Sequence, residues 1–513
     1  MGLVGISRLV VVLALSLSGA RAFADDLVAA VLPLSRSPSA GQAATAFATV
    51  INASGRALSG CNVSLPNFSG TFTYRTTNPA TNAVVGGINQ TFPLANGAAQ
   101  TLLVSLQSSS TLPPTDEHLV FQCTGSTAAA SIIGVNTLLL SVGATATPDV
   151  VALGATPTAD GTLKASGVGA AAAFSVASVN VGTTGSITVT ADTGDIALPI
   201  SVSLCQTNPL TGVCTNPSTP GSSAIVTINA NATPTFSFFV TANAPIPFFP
   251  ATTRLFVRYK DAGGVTRGST SIALNSNTTL AAGQTAGGIY SGVYRVTSGQ
   301  SLGASGAVQF IISESGTLAG ITADQNNQFA ATAVSPNSSL LYNATGIINS
   351  SDANGIANLT VNGAVSPRQL IAGLYSFAGN IGTESGQFYA SYNASLYERA
   401  SSLAMLAGSW NLRQSDGTMI GTATITAAGA ISASAPGAGA GCTASGSASI
   451  INASYNAYSV SLTPSSACGG GGGGNGAATG LGSLFDKNST NDSFQIFLLN
   501  SSGVQIAANL TKF

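Results

Sequence analysis

Residues 204–217 read LCQTNPLTGVCTNP, residues 233–240 read TPTFSFFV, and residues 248–274 read FFPATTRLFVRYKDAGGVTRGSTSIAL. The parts of this stretch recur, in the same order, about 130 residues earlier. Asn180 in FSVASVNVG has a counterpart in Asn52 of FATVINASG, and Asn208-Pro209 has one in Asn78-Pro79. The strand Arg254–Tyr259 matches His118–Cys123, and STSIAL at Ser269–Leu274 matches NTLLLS at Asn136–Ser141. Self-similarity in a fixed order marks tandem modules, here of domain size. Alternation then predicts faces, because residues two apart on a strand share one. Leu119, Phe121 and Cys123 are expected to point inward, as are Leu255, Val257 and Tyr259.

Each copy is a run of short alternating strands broken by Asn-Pro, Gly-Gly or Pro-rich turns, the pattern of an all-β sandwich. The strand order resembles that of the immunoglobulin-like modules of secreted bacterial proteins, over roughly Asp25–Asn275. The resemblance implies two tandem sandwiches, at 25–147 and 148–275, with Pro148-Asp149 at the boundary. A polar stretch of small residues at 276–286 reads as a linker.

The second half changes rhythm. GGIYSGVYRV at Gly287–Val296 opens a series of short strands separated by Ser/Asn/Gly turns, and AGSWNLRQSDGTMIG at Ala407–Gly421 opens another. Gly288-Ile-Tyr290 and Gly408-Ser-Trp410 occupy equivalent opening positions. Strands joined by tight turns predict antiparallel meanders at 287–399 and 400–513, closable into small barrels. The opening Gly-x-aromatic, the turns at Glu314–Gly320 and Thr426–Ser432, and the Gly441-Cys442…Gly446 hairpin resemble the small barrel modules of bacterial surface proteins such as transferrin-binding lipoproteins. That resemblance implies an architecture; transferrin is not carried over as a ligand.

Composition bounds the setting. The chain opens MGLVGISRLVVVLALSLSGARAFADD, where Arg8 precedes the apolar run Leu9–Leu17 and Ala22-Phe-Ala24 has the small-x-small form. Residues 1–24 therefore read as a secretory signal peptide, and no later run of ~20 apolar residues predicts a spanning helix. Only 6% of residues are charged, against roughly 25% in ordinary globular proteins. A net charge of −1 removes the electrostatic case for nucleic acid. An uncharged surface also favours self-association, since little charge repels neighbouring copies. The chain ends in Phe513, but Thr511, Asn509, Ala507 and Gln505 take the alternating places before it, so the last strand does not read as that of an outer-membrane barrel.

Six cysteines suit an exported protein. Local pairing is expected, because Cys61 and Cys123, Cys205 and Cys214, and Cys442 and Cys468 each fall inside one predicted module. CxxC spacing is absent and the chain has 1 histidine, which disfavours a metal site. No cofactor is expected.

Candidate chemistry is sparse. His118 would have to serve as the base of any Ser-His-Asp mechanism, but it reads as a surface residue beside Asp116 and Glu117. Asp192 and Asp195, with Asp160, read as solvated turns rather than a calcium site; Asp324, Asp352 and Asp416 read alike. Glu117, Glu314, Glu384 and Glu398 are spread over three predicted modules; Glu314 and Glu384 fall in the same one and could approach each other in a barrel, but both sit next to Gly or Ser in predicted turns, so a glycosidase pair is not expected. The six glycines of Gly469–Gly474 lack the following Lys-Ser/Thr of a phosphate loop and read as a flexible connection. Arg254, Arg258 and Lys260 are expected on an outer strand face. There they would either grip an acidic glycan or discourage edge pairing.

Three functional expectations follow. The first is a non-enzymatic, exported structural or adhesive protein at the cell surface or outside it, meeting a protein, a glycan or its own copies. The second is a small-ligand or glycan binder, extracellular or periplasmic, with the ligand in a C-terminal barrel mouth near Tyr290 or Trp410. A secreted hydrolase is the third and weakest, since few acid, base or nucleophile groups are available to converge.

Overall fold

The computed structural model describes residues 26–246, 248–276, 285–322, 327–333, 341–350, 355–413, 418–438, 440–468, 476–486, 489–500 and 505–512. The expected signal peptide, most of the expected linker, the glycine run and Asp324, Asp352 and Asp416 lie outside these residues. The chain is all-β and divides into two compact units, residues 1–278 and 279–513.

In the first unit the repeat has a physical basis in two buried asparagines. Strand Ala43–Asn52 ends in Asn52, whose Nδ2 donates to the carbonyls of Arg56 and Leu94 at 2.6 and 3.0 Å. Its Oδ1 accepts from the Ser54 amide at 3.0 Å. Strand Ala171–Asn180 ends in Asn180, which donates to Thr183 and Ile228 carbonyls at 2.7 and 3.1 Å and accepts from the Gly182 amide at 3.1 Å. Both side chains are shut off from water, so these bonds satisfy strand-end backbone groups that solvent cannot reach. The Asn-Pro turns match equally well. Asn78 Oδ1 accepts from the amides of Ala80 and Thr81, and Asn208 Oδ1 from those of Leu210 and Thr211.

The two copies differ in their sheets. Residues 150–275 form two five-stranded sheets. One has the order Val150–Ala155, Ala171–Asn180, Thr235–Ala242, Ile200–Thr207, Cys214–Gly221. The other runs Thr162–Lys164, Thr266–Asn275, Arg254–Asp261, Gly185–Asp192, Ser223–Ile228. They meet face to face where the Phe236 ring stands edge-on to Tyr259, centroids 5.7 Å apart. Residues 27–142 instead form one four-stranded and two three-stranded sheets. The strand expected over His118–Cys123 is broken at Leu119. Leu112–His118 pairs with Thr137–Val142, while Val120–Gln122 pairs with Leu58–Ser64. Leu119, Phe121, Cys123, Leu255, Val257 and Tyr259 all face the interior, as alternation requires.

Between the two copies, polar groups are buried in matched pairs. Arg36 Nη2 meets Asp149 Oδ2 at 2.9 Å, and the Ser37 amide donates to Asp149 Oδ1 at 2.9 Å. The Ser269 amide donates to Ser35 Oγ at 2.5 Å, and Ser271 Oγ to the Gly134 carbonyl at 2.6 Å.

The second unit contains two closed eight-stranded barrels, each with its strands in sequence order. The expected meanders therefore close on themselves, which removes every sheet edge. The first barrel runs from Gly288–Gly299 to Gly382–Tyr392, which pair to shut it. The second runs from Gly408–Arg413 to Gln505–Lys512. Short helices at Ala394–Tyr397 and Leu403–Leu406 join them. Outward-facing Ile289, Ile311, Ala319 and Ile321 of the first barrel pack with Leu481 and Phe497 of the second.

The cysteines pair as Cys61–Cys123, Cys205–Cys214 and Cys442–Cys468. No helix among the described residues is long and apolar enough to cross a membrane.

The Arg36–Asp149 contact generates a test of the first unit. Asp149→Ala leaves a largely buried guanidinium unpaired, and the expected cost is about 3 kcal/mol, read as a lowered urea midpoint of residues 25–276 within the full chain. Wild-type stability in this variant would show that the two copies do not depend on the contact.

Candidate functional site

The first barrel encloses the site. Alternation puts Tyr290, Tyr294 and Val296 of its first strand inside, with Val308, Phe310 and Ile312 of the second. One end is filled. The Tyr290 ring stacks on Phe310, and its hydroxyl donates to the Ala286 carbonyl at 2.9 Å. Below it Glu314 accepts from Tyr397 Oη at 2.8 Å and from Thr285 Oγ1. Tyr342 Oη closes the adjacent hairpin by donating to the Gly316 carbonyl at 2.8 Å.

Toward the other end the interior is empty. A cavity of about 400 Å³ opens there, within the usual range of roughly 300–1,000 Å³ for small-molecule sites. Its depth is apolar, walled by Val308, Phe310, Leu318, Leu359, Val361 and Phe388. Its outer part carries Gln300, Ser301, Asn327, Thr383 and Glu384.

Glu384 is placed by the barrel's closure. It sits on the last strand opposite Gly299, the end of the first strand. Tyr375 Oη donates to Glu384 Oε1 at 3.1 Å. Gly386 makes that contact available: a Cβ there would lie 2.5 Å from Tyr375 Cε1, so a bare backbone is needed for the ring to cross it. Tyr375 in turn stands edge-on to Tyr294, centroids 6.2 Å apart. Burial raises the Glu384 pKa above the ordinary carboxylate value, and hydrogen bonds from Tyr375 and Ser301 pull it back in part. No ion pair to Glu384 forms among the described residues. Arg295 lies between the inward Tyr294 and Val296 and so belongs to the outer face of its strand.

Several expected site residues lie elsewhere. Tyr290 and Trp410 are fully buried and do not line a mouth. Each instead donates to the carbonyl four residues upstream, Tyr290 to Ala286 and Trp410 Nε1 to Leu406 at 2.8 Å. They are equivalent, as their motifs suggested, but as stoppers at the filled ends. In the second barrel, Trp410 packs with Tyr458, Phe494 and Leu510 in the interior.

Arg254 does not face solvent. It is buried, donates to Ser271 Oγ at 3.0 and 2.8 Å and to the Pro250 carbonyl at 2.7 Å, and burial pushes its pKa down to about 10. Ser271 then bonds Gly134, so this arginine supports the contact between the two copies. Arg258 is half-buried over the Phe256 ring, 4.5 Å from its centroid, and pairs with Asp192 at 3.4 Å. Lys260 is partly exposed on the same strand. The three do not form one open basic face.

His118 is also buried, with Nδ1 at 2.7 Å from Ser131 Oγ. Asp160 is held by Lys164, Thr158 and Thr162 within its own turn. Among the described residues no group of three or more His, Cys, Asp or Glu is placed to hold a metal ion. Glu314 and Glu384 lie at opposite ends of the barrel and do not form a hydrolytic pair. Glu384 carried no distinguishing motif in the sequence. Its one local signal is ESGQF at 384–388, where alternation puts Glu384, Gly386 and Phe388 on one face.

No family model matches the chain, and no curated protein matches it. Among solved structures, a protein of unknown function from Porphyromonas gingivalis W83 is similar at 12% identity, over 48% of this chain and 99% of that one, with a TM-score of 0.18. A structure described as the chaperone-tip adhesin complex in CFA/I fimbriae biogenesis is similar at 12% identity, over 47% and 98%, with a TM-score of 0.14. Likenesses this low carry no functional argument.

Glu117 gives a pH test. Burial, with Asp116 adding to it, pushes its carboxyl up to about 7 from 4.5. Between those pH values the folded chain keeps a proton that the unfolded chain releases. The stability contributed by this group is therefore full below pH 4.5 and is lost as pH rises through 7. Glu117→Gln is expected to flatten that part of the profile, read as urea midpoints across this range. An unchanged slope would mean that Glu117 ionises freely in the fold.

Proposed function

We propose that this protein binds a small, mainly apolar molecule inside the barrel formed by residues 288–392. The observation that carries this is the cavity of about 400 Å³, apolar in its depth and polar at one end, in a barrel whose opposite end is sealed by tyrosines. A packed interior would serve a purely structural module better, because an empty apolar cavity forgoes packing energy. The second barrel has a core built around Trp410 and Phe494 and acts as a support for the first. We read the paired sheets before residue 276 as tandem immunoglobulin-like modules, and the barrels as related in architecture to those of bacterial surface proteins. The chain is taken to be exported, a reading supported by its three disulfides. The site works by binding, not by chemistry on its ligand.

A structural or adhesive role is a second reading. It is favoured by the exposed apolar turns that carry Val85 in one copy and Leu210 and Val213 in the other. Those turns would meet a protein surface or another copy. Light scattering separates the two: large assemblies of the purified chain support adhesion by self-contact, and a monodisperse monomer removes it.

The barrel reading is tested with an environment-sensitive apolar dye. Saturable 1:1 uptake is expected, with loss of at least about tenfold in affinity in Val361→Trp, which fills the cavity. Far-UV circular dichroism of the variant should stay that of the wild type. Dye uptake unaffected by the substitution would place binding outside the barrel.

A further inference from the structure

Among the described residues Glu384 has no basic partner, and it is set in the outer wall of an apolar chamber. We propose that the ligand carries a protonated amine, held by the Glu384 carboxylate and flanked by the rings of Tyr294 and Tyr375. This deepens the barrel-binding reading and rests on it.

The argument starts from cost. Glu384 is half-buried at the cavity wall, and a carboxylate partly withdrawn from water is stabilised by a cation or by further donors. A carboxylate offers about four acceptor sites. Here Tyr375 takes one at 3.1 Å and Ser301 supplies another bond. No Lys or Arg among the described residues pairs with it. Arg295, on the strand paired with that of Glu384, belongs to the outer face. The remaining acceptor capacity sits on a side chain that lines the cavity. A cation entering with the ligand supplies what the fold omits.

The neighbours suit an ammonium group in particular. Tyr294 and Tyr375 both line the cavity and stand edge to face, 6.2 Å apart, so ring surface is presented beside the carboxylate. Aromatic faces attract organic cations, while an anionic ligand would be repelled by Glu384. The apolar depth ending at Phe388 and Leu359 then takes the hydrocarbon part. Tyr375 is a positioning residue, holding the carboxylate through the gap left by Gly386.

The test uses three ligands with one chain length, octylamine, octanol and octanoate, titrated calorimetrically into the full mature chain at neutral pH. Octylamine is expected to bind tighter than octanol by about tenfold or more, the worth of one charge-assisted hydrogen bond, and octanoate more weakly than either. Glu384→Gln, which keeps the shape, is expected to bring octylamine to the octanol level measured in the same variant. Tyr375→Phe is expected to reduce the amine preference without abolishing octanol binding. Equal affinities for amine and alcohol, or a preference that survives Glu384→Gln, overturn the inference while leaving the barrel as a binding site. Failure of all three ligands to bind overturns both readings.

Discussion

The hydrogen bonds between the first and last strands of the 288–392 barrel hold the site together. Gly288–Gly299 pairs with Gly382–Tyr392 from Tyr290 opposite Tyr392 to Gly299 opposite Glu384. That seam turns a row of alternating strands into an enclosed volume, and no backbone edge is left to satisfy. It also fixes what stands at each end. At one end it joins Tyr290 and Tyr392, whose rings pack edge-on at 5.8 Å. At the other it brings Glu384 beside the hairpin that carries Gln300 and Ser301. Sealing and opening are set by one pairing register, and slipping it by one residue would turn every inward side chain outward.

Small residues do as much as large ones in this barrel. Inward glycines at 320 and 386 let aromatic rings lie across neighbouring strands: a Cβ at Gly320 would meet Phe310 and Phe329, and one at Gly386 would meet Tyr375. The rings are thereby drawn toward the wall and the stoppered end, and the outer part of the barrel stays open. In the second barrel Trp410 takes the place of Tyr290, and its neighbours Tyr458 and Phe494 fill the space around it. Two barrels of one topology thus differ, among the described residues, in the side-chain volume that surrounds these equivalent rings.

A chain with so few charges places several of them where they join elements. Arg36 and Asp149, Arg254 with Ser271, and Arg267 with Asp261 lie at or near the contact between the two N-terminal copies. Arg368 and Arg399 pair with Glu398 and Asp486 around the segment that joins the barrels. In this company Glu384 stands out among the described residues, whereas Glu314 is held by two hydroxyl donors at the sealed end.

Local pattern determined the strand content, the inward faces of Leu119, Phe121, Leu255 and Val257, the meander order of the second half, and the equivalence of Asn52 with Asn180 and of Tyr290 with Trp410. Those properties depend on period-two alternation and on turn chemistry, both of which act over a few residues. Nothing local told that Arg254 and His118 are buried, because both faces of their strands are covered by segments distant in sequence. Alternation distinguishes two faces and cannot tell which of them meets water. The cavity was hidden for a similar reason. Whether a barrel interior is filled depends on the summed volume of side chains from eight strands brought together by closure. Glu384 read as one more polar turn residue in the sequence; only the seam with Gly299 and the missing side chain at Gly386 made it a wall of a chamber.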